Sequence, residues 1–99
     1  MSTEERSPVG GRLRCADAVH SRLFDEEFVI LDMAQGAYFA LDKVGSRLWT
    51  GLEEGRTVEE VAAEIAAAYD VAFDRALADL QSLRDDLVAS GLMVPRDEE

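Results

Sequence analysis

Between Phe28 and Leu52 the chain changes its hydrophobic period from two to about 3.6 with almost no connecting loop. Residues 28–33 (FVILDM) and 37–41 (AYFAL) are rich in Val, Ile, Phe and Tyr, side chains that suit a pleated, half-buried surface. Ala34-Gln35-Gly36 separates them, and a short connection containing Gly between two such runs reads as a β-hairpin. Past Asp42 the apolar residues are Val44, Leu48, Trp49 and Leu52, spaced by three and four as on one face of a helix. A chain that leaves a hairpin straight into a helix must lay that helix against one side of the hairpin. The downstream segments are then expected to be helices folding back onto the same side.

Two strands alone are marginal in water, so the hairpin needs a further partner. Residues 19–23 supply one, joined through the turn Phe24-Asp25-Glu26-Glu27. Asp42 is placed to cap a first helix over Lys43–Glu53, and Gly55 is a natural left-handed terminator for it. Thr57-Val58-Glu59-Glu60 fits a capping box, opening a second helix from Val58 to about Tyr69 that buries Val61, Ile65, Ala68 and Tyr69. Asp70 and Asp74 are alternative caps for a third helix over residues 73–90, which Gly91 stops. Leu92-Met93-Val94-Pro95 is expected to run on as an extended tail. Residues 1–12 are polar and broken by Ser7-Pro8 and Gly10-Gly11, so a mobile N-terminal tail is expected, then a domain over 13–95 and a short tail over 96–99. The class that emerges is α+β: winged-helix-like, a three-stranded antiparallel sheet followed by three helices.

Composition narrows the function. Ninety-nine residues make one small domain, and 47% hydrophobic residues allow a modest core. Twenty-one acidic against ten basic residues give a formal net charge of −11, which repels a phosphate backbone and would steer a basic partner. No apolar run approaches the roughly 20 residues that span a bilayer, and the N-terminus lacks the apolar centre of a signal peptide. A single cysteine, Cys15, suits a reducing cytoplasm. His20 is the only histidine, and its odd spacing from Cys15 puts the two on opposite faces of one strand, which disfavours a Cys–His dyad. Ligands for a metal are too few. The adjacent acids Glu53-Glu54, Glu59-Glu60 and Asp85-Asp86 read as solvated faces. No enzyme, metal or cofactor is expected.

On a helical wheel the third helix places Phe73, Leu77, Leu80, Leu87 and Val88 on one arc, with Arg84 in its middle. Either the Arg84 stem packs while its head snorkels or pairs with a nearby acid, or Arg84 stands on the wall of a groove left open for a partner. The same helix carries Asp74, Asp79, Asp85 and Asp86 against Arg75 and Arg84, an unsuitable surface for reading DNA. The strand over 37–41 comes last in the hairpin series. If it is a sheet edge, an extended peptide can add to it, held by backbone hydrogen bonds and selected by pockets for alternate side chains.

Val29-Ile30-Leu31-Asp32, Gly36-Ala37-Tyr38-Phe39-Ala40-Leu41-Asp42, Val44-Gly45 and Leu48-Trp49 together resemble the PqqD-like group of RiPP recognition elements. Gly55-Arg56-Thr57-Val58-Glu59-Glu60-Val61, Tyr69-Asp70 and the closing Leu87…Gly91-Leu92 extend the likeness, which covers about residues 18–94. Within the group the pattern is most like the stand-alone leader-binding proteins of lasso peptide clusters. The version serving pyrroloquinoline quinone synthesis and a winged-helix nucleic-acid module are the alternatives. The resemblance implies a non-catalytic domain that binds the leader of a ribosomal precursor peptide as a fourth strand. It would then deliver the precursor to a leader peptidase, a cysteine protease, and to a macrolactam-forming cyclase. Lasso leaders commonly carry a Tyr-x-x-Pro element, which calls for an apolar pocket. Carried onto this chain, the peptide-binding candidates are Ala37, Tyr38, Phe39, Ala40 and Leu41 on the strand, with Leu77, Leu80, Gln81 and Arg84 on the helix.

Overall fold

The computed structural model describes residues 12–96, so most of the two expected tails lies outside it. The order of elements is β1 (Leu13–Cys15), β2 (Val19–Phe24), β3 (Glu27–Asp32), β4 (Ala37–Ala40), α1 (Lys43–Glu53), α2 (Val58–Tyr69), α3 (Phe73–Ala89) and β5 (Met93–Pro95). Strands β2, β3 and β4 form an antiparallel sheet in that spatial order, followed by the three helices, the expected α+β arrangement. Asp25 and Glu26 both take positive φ, 54° and 73°, as the two central residues of a tight hairpin between β2 and β3 must. The β3–β4 turn ends on Gly36 at φ 70°.

The passage from sheet to helix is made by two short polar side chains. Asp42 accepts from the Gly45 amide at 2.8 Å and so caps α1. Ser46, one turn on and buried, slips its hydroxyl into the last rung of the β3–β4 ladder. There Leu41 N donates to Phe28 O at 2.9 Å, but Phe28 N donates to Ser46 Oγ at 2.8 Å, and Ser46 Oγ donates to Leu41 O at 3.3 Å. The hydroxyl substitutes for the missing rung while the backbone turns away from the sheet. Trp49 and Leu48 from the next turn are fully buried among Ile30, Leu52, Val61, Leu80 and Leu92. Helices α1 and α2 pass so closely that a Cβ on Gly51 would collide with the Val61 side chain.

Three expectations are corrected. Helix α2 buries Val58, Val61, Ala62 and Ile65, whereas Ala68 and Tyr69 lie exposed past the end of the contact with the core. Neither Asp70 nor Asp74 caps α3: Asp70 is the left-handed C-cap of α2 at φ 55°, and Ala72 holds the N-cap position of α3 without a side-chain bond. Residues 93–95 are no loose tail. They form β5, antiparallel to β1, with Leu13 and Met93 both fully buried. The Arg96 guanidinium then donates to the carbonyls of Leu13, Leu52 and Glu53 at 3.1, 3.2 and 2.8 Å, and Arg12 donates to Gly55 O. Two arginines from opposite ends of the described residues thereby tie the β1–β5 pair to carbonyls at and just past the end of α1.

Replacing Ser46 with Ala strands the Phe28 amide in a part-buried site and is expected to cost about 1–3 kcal/mol, lowering the urea midpoint read from Trp49 fluorescence. An unchanged midpoint would mean that the rung closes on its own. The capping box is acid-sensitive. Glu60 accepts from Thr57 N at 2.8 Å, and that bond, with Arg12 and Arg56 nearby, holds its carboxyl below the ordinary 4.5. A depressed folded-state pKa contributes stability fully above the unfolded value and loses it as pH falls through the folded one. The stability gap between wild type and Glu60→Gln is therefore expected to be widest at neutral pH and to close on acidification below about 4.5, measured by urea titration at each pH.

Candidate peptide-binding site

Bonds in an antiparallel ladder alternate, and the Leu41–Phe28 bond fixes the phase. Ala37, Phe39 and Leu41 therefore turn their amides toward β3, while Tyr38 and Ala40 turn N–H and C=O to the free side. Beyond β4 the described residues place no further strand. Side chains alternate in the opposite sense. Phe39 and Leu41 are half-buried against the core on the helical side, while Tyr38, 74% exposed, and Ala40 lie on the outer face. Strand β2 is the sheet's other edge and carries His20 and Arg22; β4, Ala37-Tyr38-Phe39-Ala40, carries no charge. Charged side chains on an edge discourage strand addition, so β4 is the edge left permissive.

Helix α3 approaches the turn between β4 and α1 through Leu83. The position a Gly45 Cβ would take lies 3.2 Å from Leu83 Cδ2 and 3.5 Å from Leu41 Cβ. Continuing along α3 toward its N-terminus, a groove of about 550 Å³ opens between the three helices, lined by Val44, Ile65, Tyr69, Val71, Ala76 and Leu80 among others. Arg75 and Asp79, a loose i,i+4 pair at 3.8 Å, flank its mouth. The Arg47 guanidinium stacks 5.7 Å from the Tyr69 ring, holding that exposed aromatic in place.

Of the helix candidates, Leu80 lines this groove, and Leu77, Gln81 and Arg84 lie outside its lining. Leu77 is half-buried against the core, and Gln81 is half-buried. Arg84 is buried, 7% exposed, with Nε donating to Asp85 Oδ1 at 3.1 Å, so it offers little surface to a guest. Sequence reasoning missed Val44, Tyr69, Val71 and Leu83. In the sequence Tyr69 reads as a core residue of the second helix, Val71 is an isolated apolar residue of the link, and Leu83 falls at the flank of the helical arc rather than its centre.

Cys15 and His20 do not share a strand as expected. Cys15 ends β1 and His20 lies on β2. The Cys15 thiol contacts the Val19 carbonyl at 3.4 Å, and burial, then the Glu53 carboxylate, push its pKa up, away from the nucleophilic thiolate. Among the described residues no group of three or more His, Cys, Asp or Glu could hold a metal ion, and no helix is long and apolar enough to cross a membrane.

Comparison with known proteins places this geometry. No curated protein sequence matches the chain. Among solved structures, TbiB1 in complex with the TbiA(beta) leader peptide is similar, with 38% identity and a TM-score of 0.77, over 86% of this chain and 99% of that one. A lasso peptide synthetase B1 complexed with the leader peptide has a TM-score of 0.78 over 85% of this chain and 99% of that one; at 24% identity it shows the shared fold. The model of the family described as coenzyme PQQ synthesis protein D matches residues 27–93, and by that span together with the TbiB1 likeness the chain belongs to the PqqD family and is a PqqD-like RiPP recognition element.

Proposed function

We propose that this chain is a non-catalytic leader-binding protein of lasso peptide biosynthesis. It takes the leader of a ribosomal precursor as a fourth strand on β4 and delivers the precursor to a leader peptidase and a cyclase in the cytoplasm. The observation that carries this reading is the uncharged open edge of β4, in a molecule whose three helices leave an apolar groove that begins at Val44, just past that strand. The likeness to TbiB1, a protein solved with its leader peptide, supports it. The outward amides and carbonyls of Tyr38 and Ala40 supply the backbone bonds. Guest side chains opposite Phe39 and Leu41 then point to the helical side, two residues apart, and those opposite Tyr38 and Ala40 point outward. The groove ending at Tyr69 and Val71 supplies the apolar pocket for a leader aromatic ring. Leu77, Gln81 and Arg84, outside the groove and at least half-buried, serve the packing of α3 rather than the guest.

The family match equally admits the sibling role in pyrroloquinoline quinone synthesis. The likeness to TbiB1, which binds a leader peptide, and the sequence pattern shared with the stand-alone lasso leader-binding proteins support the lasso reading. A net charge of −11 speaks against nucleic acid.

Labelled leader peptide titrated by fluorescence anisotropy is expected to bind with a Kd between nanomolar and low micromolar, and no binding below about 100 µM would sink the reading. Ala40→Pro is the sharper test. It deletes a donor that faces solvent, a place where an edge strand tolerates proline, so Trp49 fluorescence should report an intact fold while leader affinity falls at least about tenfold. A folded Ala40→Pro variant that binds leader as the wild type does would move the peptide away from this edge.

A further inference from the structure

Tyr69 stands between two cavities of unlike character. On one side is the apolar groove of about 550 Å³, where Val44, Ile65, Val71 and Leu80 are its neighbours. On the other is a cleft of about 390 Å³ bounded by α1, α2 and the β2–β3 hairpin. Its lining includes Lys43, Arg47, Arg56, Glu26, Glu54 and Glu64, all formally charged. Among the described residues, Tyr69 alone lines both.

The ring is not held there by the core. Tyr69 is the last residue of α2 and is 43% exposed, and Asp70 after it turns the backbone left-handed at φ 55°. What holds the ring is Arg47, whose guanidinium lies 5.7 Å from its centroid and which lines the cleft but not the groove. The cation therefore backs the ring from the charged side and leaves an apolar surface to the groove. The ions of the cleft already have partners: Lys43 lies 3.9 Å from Glu26, and Arg56 pairs with Glu54 at 3.4 Å and with Glu64. An apolar side chain that pushed past the ring would strip water from those pairs, which is unfavourable. A side chain with a polar tip would find partners there once the ring was gone.

We propose that Tyr69, pinned by Arg47, is the specificity-determining partition of the groove. It closes the apolar compartment against the charged cleft, so that the groove accepts an apolar guest side chain and rejects one of the same length with a polar end. This rests on the leader-binding reading and deepens it: Tyr69 there is more than one contact among several, because it fixes the chemistry of what the groove takes.

The test uses the full chain and two labelled versions of the leader, with Met or Gln at the aromatic position whose replacement by Ala weakens binding most. Met and Gln are close in length and differ in the polarity of the tip. The wild-type chain is expected to bind the Met version at least about tenfold more tightly by fluorescence anisotropy, since Gln would bury an amide without a partner. Tyr69→Ala is expected to lower that ratio to about threefold or less, and Arg47→Ala to lower it by at least about twofold, while Tyr69→Phe, which keeps the ring, restores it to within about twofold of wild type. Both side chains are exposed, and Trp49 fluorescence in urea reports that each variant is folded. A wild-type ratio near one would overturn the proposal. So would a ratio that survives in Tyr69→Ala or in Arg47→Ala, including the case in which both versions simply weaken together, the result expected of a residue that only supports the fold. Failure of the wild-type chain to bind its unaltered leader would instead strike the leader-binding reading, so the two are told apart.

Discussion

The Ser46 hydroxyl, wedged between Phe28 N and Leu41 O, is the joint on which this molecule turns. An antiparallel ladder that ended in free amides at that point would leave polar groups in a site sealed by Trp49 and Phe28, whose rings lie 6.5 Å apart. The hydroxyl satisfies both groups and lets β4 become α1 within two residues. Because that passage is so short, α1 is held against the sheet, Trp49 reaches the centre of the core, and α3 comes to lie where Leu83 touches the Leu41–Gly45 turn. The open edge and the groove are consequences of that placement.

The sheet then presents three different surfaces. Its helical face is core. Its β4 edge carries free backbone groups and no charge, while its β2 edge is guarded by Arg22 and His20. That contrast directs strand addition to one side only. A three-stranded sheet with two equivalent edges would risk pairing with its own copies, and the large negative charge adds long-range repulsion against such encounters. Its outer face carries Phe24, Leu31, Met33 and Tyr38, all exposed, beside Arg22, which reaches no carboxylate among the described residues.

Much of this was legible locally. Asp42 as a cap, the Thr57–Glu60 capping box and Gly55 as a terminator each depend on atoms within a few residues, and α1 and α2 fall on the expected bounds for that reason. The β3–β4 hairpin followed from alternation and from Gly36. The β1–β5 pair was illegible: strands of three residues have no period to read, and their partners come from opposite ends of the chain. Asp70 illustrates a subtler miss. An aspartate between two helices suits an N-cap or a left-handed turn equally well, and only the angle at which α3 leaves α2 selects between them.

The candidate site divides along the same line. Alternation and the terminal place of residues 37–41 in the hairpin series were enough to mark an edge strand and its two faces, since side-chain direction along a strand is a local property. Which face of α3 borders that strand was not. A helical wheel shows that Leu77, Leu80 and Arg84 share an arc, but an arc has two flanks, and the packing of α2 and α1 decides that Leu80 and Ala76 line the groove and Leu83 approaches the Leu41–Gly45 turn while Arg84 is buried. The amino-acid order by itself determined the elements, their caps and the absence of charge on β4. Only the tertiary structure decided which flank of α3 lines the groove and that Arg22 stands among exposed apolar side chains without a carboxylate, because both depend on how separate elements rotate against one another to fill a single core.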